Sequence, residues 1–440
     1  QASFRLLRFF PSLRPMATVD QVDAVVVVDP YSSGRFLLYE LKARGIPIIC
    51  VRSCLSLGSF FLRVYDTHRD YFAVTIDFQE EAGSDLQQLV DRLVSLPYRV
   101  LAVFGGCEPG VELAERLAEA LALPTANGTE LLLARKDKAE MQNCLRLNGV
   151  PAAEQHKSGI LEELLSWARA RGQWPLVAKP LSSSGSDGIF FCQNEEDLES
   201  AHKVIVGALN PNGVQNTDIA LQEFLTGDEY IVDSVSRDGR HQCVAIWVYS
   251  KRRGLPWNAT AILSEGNTLL PAEGAIQDVL VDYVFKVLDA VGLRFGPCHT
   301  EVMLTPRGPI LVEVNCRLHG LQGPRLIELA TGTSKATAAA DVLLGGELFE
   351  KNWVPPPGRY LYPLHRHCVQ MVLISPVEGF LTEPIQDTIL AMNLASVVEI
   401  LPALQKGGYL RQSIDLNSSA GTLLMVHSSK EQLEADIAQI

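Results

Sequence analysis

The sequence predicts a multidomain protein of mixed class, an α/β domain followed by α+β units. In the first 121 residues, apolar runs end at glycine- or serine-containing turns and lead into helical patterns. That is strand, turn, helix, the unit of a parallel sheet. Further along, a lysine ends one strand just before a serine- and glycine-rich loop, and two glutamates face each other across a short hairpin. At 440 residues the chain is too long for one core, and 47% hydrophobic content supplies several.

A formal charge of −13 offers no broad basic field, so neither nucleic acid nor an anionic membrane is expected as partner; a small molecule fits better. The nine cysteines are scattered without a Cys-x-x-Cys pair, which suggests neither a disulfide framework nor a zinc site. A reducing, cytoplasmic setting is expected. No apolar run reaches the roughly 20 residues of a membrane-spanning helix. Residues 1–18 contain Arg5, Arg8 and Arg14 without an acid, and read either as the remnant of an organellar import sequence or as a disordered terminus.

In chain order, the valine-rich run Ala24 to Val28 breaks at Asp29-Pro30-Tyr31-Ser32-Ser33-Gly34, and a helical pattern and a second strand at Ile46 to Val51 follow. Val100 to Phe104, Gly105-Gly106 and a helix from Val111 to Leu121 repeat the pattern. Glu108 follows that glycine turn, at the end of a strand where α/β sheets bind ligands; it is either a substrate contact or a helix N-terminal acid. Neither turn has phosphate-binding spacing. A new segment opens at Arg135-Lys136-Asp137-Lys138 with a helix to Leu147. The strand Pro175 to Lys179 runs into Pro180-Leu181-Ser182-Ser183-Ser184-Gly185-Ser186-Asp187-Gly188, whose N–H groups and hydroxyls can fold over phosphates while the lysine neutralises them. Such loops also serve as plain connectors. Ile219 to Phe224 and Tyr230 to Ser236 are strands joined by Leu225-Thr226-Gly227-Asp228-Glu229, and Gln277 to Val291 is an amphipathic packing helix.

The hairpin spans Gly296 to Arg317. Thr305 to Pro309 reads as its loop, and pairing outward sets Met303 opposite Leu311, Glu301 opposite Glu313 and His299 opposite Asn315 on one face. Like charges facing across a ladder repel, and a divalent cation removes the conflict. Glu301, Glu313 and the Asn315 amide offer only oxygen, which suits Mg²⁺, with Mn²⁺ as substitute, and implies a nucleotide. A solvated hairpin is the alternative. Arg317 could grip a carboxylate or phosphate through its planar fork. Helices from Arg325 to Thr331 and Lys335 to Leu344 precede a stiff Pro355-Pro356-Pro357 linker, and two strands and a helix close the chain. His365 and His367 lack a third ligand and read as core or edge residues.

Together the α/β start, the strand-end lysine with its Ser/Gly loop, the Gln-Glu-Phe-Leu-Thr-Gly-Asp-Glu connector and the hairpin ending Glu-Val-Asn-Cys-Arg resemble the ATP-grasp superfamily from about Val19 onward. His299-Thr300-Glu301, Glu313 to Arg317 and the turns at Asp29 and Gly106 look most like its L-amino acid ligases and carnosine synthases. Cys316 and Leu318-His319-Gly320 depart from that pattern. The resemblance implies a parallel-sheet domain over 19–135, a small subdomain with the phosphate flap over 136–220, a large subdomain over 221–354 and an α+β region over 355–440. It implies that Lys138 and Lys179 contact ATP phosphates under the flap of Ser182, Ser183, Ser184, Gly185, Ser186 and Gly188. Gln222, Glu223, Phe224 and Leu225 would border adenine, Glu229 the ribose and Met303 the base. Glu301, Glu313 and Asn315 would carry Mg²⁺, and Glu108, His299, Arg317 and Gly320 would meet substrate.

The implied reaction joins a carboxylic acid to an amine, both expected to be amino acids. The carboxylate takes the γ-phosphate to give an acyl phosphate, and the amine displaces phosphate; Arg317 and Lys179 are the catalytic candidates. A carboxylase, a purine-type ligase and a non-catalytic ATP-binding protein are the rival readings. Dimers are common among relatives, so a homodimer is expected.

Overall fold

The computed structural model describes residues 21–53, 59–80, 83–182, 188–210, 215–355, 359–416 and 418–440. Residues 1–18, Ser183, Ser184, Gly185 and Ser186 of the expected flap, and Pro356 and Pro357 of the linker lie outside them. The chain begins with β1 (Val22–Val28), α1 (Gly34–Ala43), β2 (Ile48–Arg52), α2 (Ser59–Thr67), β3 (Phe72–Asp77), α3 (Leu86–Val94), β4 (Tyr98–Gly105) and α4 (Gly110–Ala120). These strands form a parallel sheet in the order β3-β2-β1-β4. The uninterrupted valines of β1 follow from burial on both faces. Ala24, Val26 and Val28 pack with α3 and α4, whereas Val25 and Val27 pack with α1.

Next come α5 (Lys138–Leu147), β5 (Gln155–Ser158), α6 (Leu161–Arg171), β6 (Leu176–Pro180), β7 (Phe190–Cys192), α7 (Glu195–Ile205) and β8 (Ile219–Glu223). Their antiparallel sheet has the order β5-β8-β6-β7. β8, which a boundary at 220 would divide, pairs entirely within it.

The remainder comprises β9 (Asp228–Arg237), β10 (Arg240–Leu255), β11 (Asn258–Leu269), α8 (Ala275–Ala290), β12 (Gly296–Thr305), β13 (Gly308–Asn315), α9 (Gly323–Thr331), α10 (Lys335–Leu344) and α11 (Gly346–Trp353). It continues through β14 (His367–Leu373), β15 (Gly379–Phe380), α12 (Ile385–Ala391), β16 (Val397–Pro402), β17 (Tyr409–Leu410), β18 (Gly421–His427) and α13 (Lys430–Ile437). An eight-stranded sheet in the order β13-β12-β9-β10-β11-β14-β18-β16 forms the largest layer, and α8 buries Leu280, Val284, Val287 and Leu288 in its core.

Apolar and polar contacts bring the amino-terminal sheet up to this layer. Ala336, Ala339 and Ala340 of α10 join the core of Val25 and Val27. Arg135, 1% exposed, donates to Glu115 of α4 from Nε at 2.9 Å and from Nη1 to the Val291 carbonyl at 2.9 Å. At Gly106 a Cβ would stand 2.5 Å from the Asp29 carbonyl oxygen, so the two strand-end turns can touch only through glycine.

The hairpin differs from expectation near its tip. Its turn is tighter, with Thr305 pairing Gly308 and Met303 pairing Ile310, not Leu311. Pro309 is tolerated inside β13 because β13 is the edge strand. A register shift between Glu301 and Val302 then restores the expected partners, Glu301 with Glu313 and His299 with Asn315.

Candidate active site

β12 and β13 set the Glu301 and Glu313 carboxylates across from each other, and β9 places Glu229 opposite Met303 and Asp233 opposite His299. Each carboxylate has its own donors. Glu301 Oε1 accepts from the Tyr249 hydroxyl at 2.9 Å, with His299 Nε2 at 3.3 Å. Glu313 meets Lys138 Nζ at 3.0 Å and the Asn315 amide at 2.8 Å. Burial works against ionisation of Glu301, but His299, Lys251 and Tyr249 outweigh it and hold the carboxyl well below the usual range. Burial opposes Glu313 likewise, and Lys138 with the Asn315 amide lowers it. Glu229, 2.5 Å from Lys251 Nζ, goes the other way: burial raises it, Lys251 opposes that rise, and Glu301 adds to it.

The positive side of the cleft is supplied by sequence-distant lysines. Lys138 opens α5 behind the Asp137 cap, which accepts from Ala139 and Glu140 backbone N–H. Its backbone N–H donates to the Leu181 carbonyl at 3.0 Å, which ties it to the end of β6. Burial would lower its ammonium, but Glu313 raises it. Lys179, 5% exposed at the end of β6, has no hydrogen-bond or ion-pair partner among the described residues. Burial, then the adjacent Lys138, push it down to about 8. Gly188, which follows the Ser/Gly stretch in sequence, has φ +66°, and a Cβ there would stand 2.8 Å from Pro180.

Arg317 lies where the glycine turn of the first domain meets the hairpin. Its Nε donates to Glu108 Oε2 at 2.8 Å and its Nη2 to Asn315 Oδ1 at 3.2 Å. The expected metal, phosphate and substrate residues therefore form one chain of contacts from Lys138 through Glu313, Asn315 and Arg317 to Glu108. Gly320 lies past Arg317, with open space around its α-carbon.

Other expected residues are placed differently. His299 has both ring nitrogens engaged, Nδ1 facing Asp233 at 3.2 Å and Nε2 facing Glu301, so it braces a carboxylate. The Glu223 carboxylate accepts from the Glu154 backbone N–H at 2.9 Å and pairs with Arg307, and its own backbone N–H donates to the Glu154 carbonyl at 2.9 Å. Gln222 donates to Gln155 at 2.8 Å, and Phe224 meets Phe191 edge-on. Leu225 and Ser182 are partly exposed beside them, and Met303 is buried. His365 is exposed, and His367 pairs with His427 at the end of the β14–β18 ladder.

Sequence reasoning missed Tyr249, Lys251, Asp233, His319 and Lys335. Asp233, His299 and His319 bring ligand-type atoms within 4.8 Å of one another. Lys335 Nζ, however, lies 2.6 Å from Asp233 Oδ1 and already supplies the positive charge. His319 completes the network: its Nδ1 faces Asp233 Oδ2 at 2.7 Å, so its Nε2 is left to accept from the Asn267 amide at 3.2 Å. Burial brings His319 down to about 4, which keeps it neutral. The hairpin offers instead the carboxylates of Glu301 and Glu313 with the Asn315 amide oxygen. This set holds only oxygen, and its carboxylates are kept ionised in register, which fits a hard divalent cation.

Residues 172–324 match the model of the ATP-grasp domain, a span that holds Lys179, both hairpin glutamates, Asn315 and Arg317. Dapdiamide A synthase of Enterobacter agglomerans is 28% identical over 428 residues, 97% of this chain and 96% of that protein. Residues 172–324 therefore resemble an ATP-grasp domain. Among solved structures, the L-amino acid ligase of Bacillus licheniformis superposes with TM-score 0.71 at 17% identity, covering 96% of this chain and 97% of that one. Carboxyaminoimidazole ribonucleotide synthase of Aspergillus clavatus, complexed with ATP, gives TM-score 0.66 at 14% identity, covering 95% and 97%. At these identities the likeness is one of fold, the mixed α/β architecture expected. Among the described residues no helix is long and apolar enough to cross a membrane.

Proposed function

We propose that this ATP-grasp chain is an ATP-dependent ligase that joins the carboxylate of one amino acid to the amine of another through an acyl phosphate. The observation that carries the reading is Lys179, a buried cation at about 8 without a partner among the described residues, beside Lys138 and the facing glutamates. Burying an ammonium with no direct partner is costly even with Glu313, Glu229 and Glu301 acting on it, which suits a cleft that takes an anion. The ligase named among its relatives, dapdiamide A synthase, aligns along nearly the whole chain.

In this reading Lys138 and Lys179 neutralise the ATP phosphates beneath the flap from Ser182 to Gly188, and the strand after Gln222 borders the base. Glu301, Glu313 and Asn315 would hold Mg²⁺, which offsets phosphate charge and keeps the transferring group in line. His299 and Tyr249 keep Glu301 ionised and pointed. The substrate carboxylate oxygen attacks the γ-phosphorus and ADP leaves. The amine nitrogen then attacks the acyl carbon and phosphate leaves. Arg317 steadies the phosphoryl oxygens through its planar fork, and Glu108, already paired to it, offers an acceptor to a substrate ammonium. No nucleophilic side chain is required, because positioning and charge compensation supply the rate. The eight-stranded layer and the flap would exclude the water that destroys an acyl phosphate.

The test is phosphate release across an amino acid library, with mass spectrometry of the product. Release that needs both a carboxylic acid and an amine supports the ligase; bicarbonate dependence indicates a carboxylase, and tight nucleotide binding without turnover indicates a regulatory protein.

A further inference from the structure

A carboxylate stands behind the hairpin and is occupied entirely by other side chains. Asp233 of β9 is fully buried, and its two oxygens meet four donors from four parts of the chain. Oδ1 accepts from Lys335 Nζ of α10 at 2.6 Å and faces His299 Nδ1 of β12 at 3.2 Å. Oδ2 accepts from Trp247 Nε1 of β10 at 2.9 Å and faces His319 Nδ1, in the turn after β13, at 2.7 Å. Four donors fill the sites a carboxylate offers, so Asp233 has none left for a metal, a phosphate or a substrate. A buried charge pair is often no more stable than apolar side chains of the same volume, so what Asp233 fixes matters more than what it adds to stability.

Three of the donors lead on to the cleft. With Nδ1 directed at Asp233 the planar His299 ring has one orientation, and in it Nε2 faces Glu301 Oε1 at 3.3 Å. Lys335 Nζ also donates to the Cys298 carbonyl at 2.6 Å and to the Arg317 carbonyl at 3.4 Å, one on each side of the hairpin base. His319 stands two residues past Arg317.

We infer that Asp233 is a positioning residue: through His299 it aims the Glu301 carboxylate, and through Lys335 and His319 it holds the segment that carries Arg317. The proposed metal carboxylate and the proposed phosphoryl-binding arginine are thereby set from one point. Glu301 Oε1 has a second donor, the Tyr249 hydroxyl at 2.9 Å, so losing Asp233 loosens the carboxylate without releasing it. Residues that orient a metal ligand from behind typically contribute about tenfold to a hundredfold in metal affinity. The effect on metal binding rests on the Mg²⁺ reading of the hairpin; the chain of contacts does not.

The experiment uses the full chain. Asp233→Val combined with Lys335→Met removes the two charges together, which spares the fold an unpaired ion. In Asp233→Asn the amide oxygen turns to Lys335 and His299, both donors, and keeps His299 aimed. Mn²⁺ binding with ATP should weaken at least about tenfold in the double variant and by no more than about threefold in Asp233→Asn, with circular dichroism unchanged in both. ¹⁵N-histidine spectra of the metal-free protein read the contact itself. The His299 ring signals, assigned by their absence in His299→Gln, should shift in Asp233→Asn and also in Glu301→Gln. A folded double variant with the parent's Mn²⁺·ATP affinity, an equal loss in the two Asp233 variants, or His299 signals blind to either neighbour overturns the proposal. If the double variant does not fold, the histidine spectra decide. If the parent binds no Mn²⁺ with ATP, the Mg²⁺ reading fails and the same spectra still decide whether Asp233 aims His299 at Glu301.

Discussion

Lys179→Met separates a cation kept for a ligand from one kept for the fold. In the free protein the ammonium is depressed from its ordinary 10.5 to about 8, which corresponds to about 3 kcal/mol of lost stability at neutral pH. The sign follows from proton counts. Below pH 8 both folded and unfolded lysine are charged and the full penalty applies. Between pH 8 and 10.5 the folded form has already released its proton while the unfolded form keeps it, so the penalty fades, to about 1 kcal/mol at pH 10. A methionine of similar length carries no charge, so the variant should be more stable than the parent at pH 7. For a cooperative unit of 440 residues the gain is roughly 3 °C in melting midpoint, shrinking to about 1 °C at pH 10. The same change should weaken ATP binding at least tenfold, because a phosphate loses its buried counter-charge. Differential scanning calorimetry at both pH values, with isothermal titration of ATP, reads both effects. A variant that melts below the parent by the same margin at both pH values would show Lys179 to be a satisfied structural cation, and the argument for an anion site would collapse.

The buried network behind the glutamates should respond in the opposite way. Lys335→Met leaves Asp233 charged and fully buried without its cation, so stability should fall by about 3–5 kcal/mol in urea unfolding; a loss under 1 kcal/mol would mean that the histidines carry the charge instead. Tyr249→Phe removes a donor that helps hold Glu301 low. The Glu301 carboxyl should rise, and the acid limb of the kcat/KM profile should move to higher pH with a roughly threefold to tenfold lower plateau. An unmoved limb would detach Tyr249 from the working carboxylate.

Much of this was legible because the informative residues are close in sequence. Glu301 and Glu313 lie on adjacent strands of one hairpin, so alternation and a turn were enough to set them face to face. That pairing held although the loop was drawn too long, because the register shift at Glu301 absorbs the residue that the tighter turn at Thr305 releases. Lys179 was visible from its strand end and the Ser/Gly loop after it. Hidden were contributions from elements that only the tertiary fold brings near. β10, far from the hairpin in sequence, runs through Tyr249 and Lys251 and delivers both to the carboxylates. Lys335 opens a helix 102 residues beyond Asp233, and no spacing rule connects them. The Glu223 carboxylate meets Arg307 of the hairpin turn, 84 residues on, a contact that no local pattern announces. For the same reason His299 reads as a substrate contact until Asp233 is seen opposite it.

The central claim is that Glu301 and Glu313, held in register, share one divalent cation with a bound nucleotide. Mn²⁺ binding, followed by electron paramagnetic resonance with and without ATP, tests it directly in the parent protein and in Glu313→Gln. One tight Mn²⁺ site that appears with ATP, and weakens at least a hundredfold in the variant while its circular dichroism stays unchanged, is the predicted result. Equal Mn²⁺ binding in the two proteins would contradict the account.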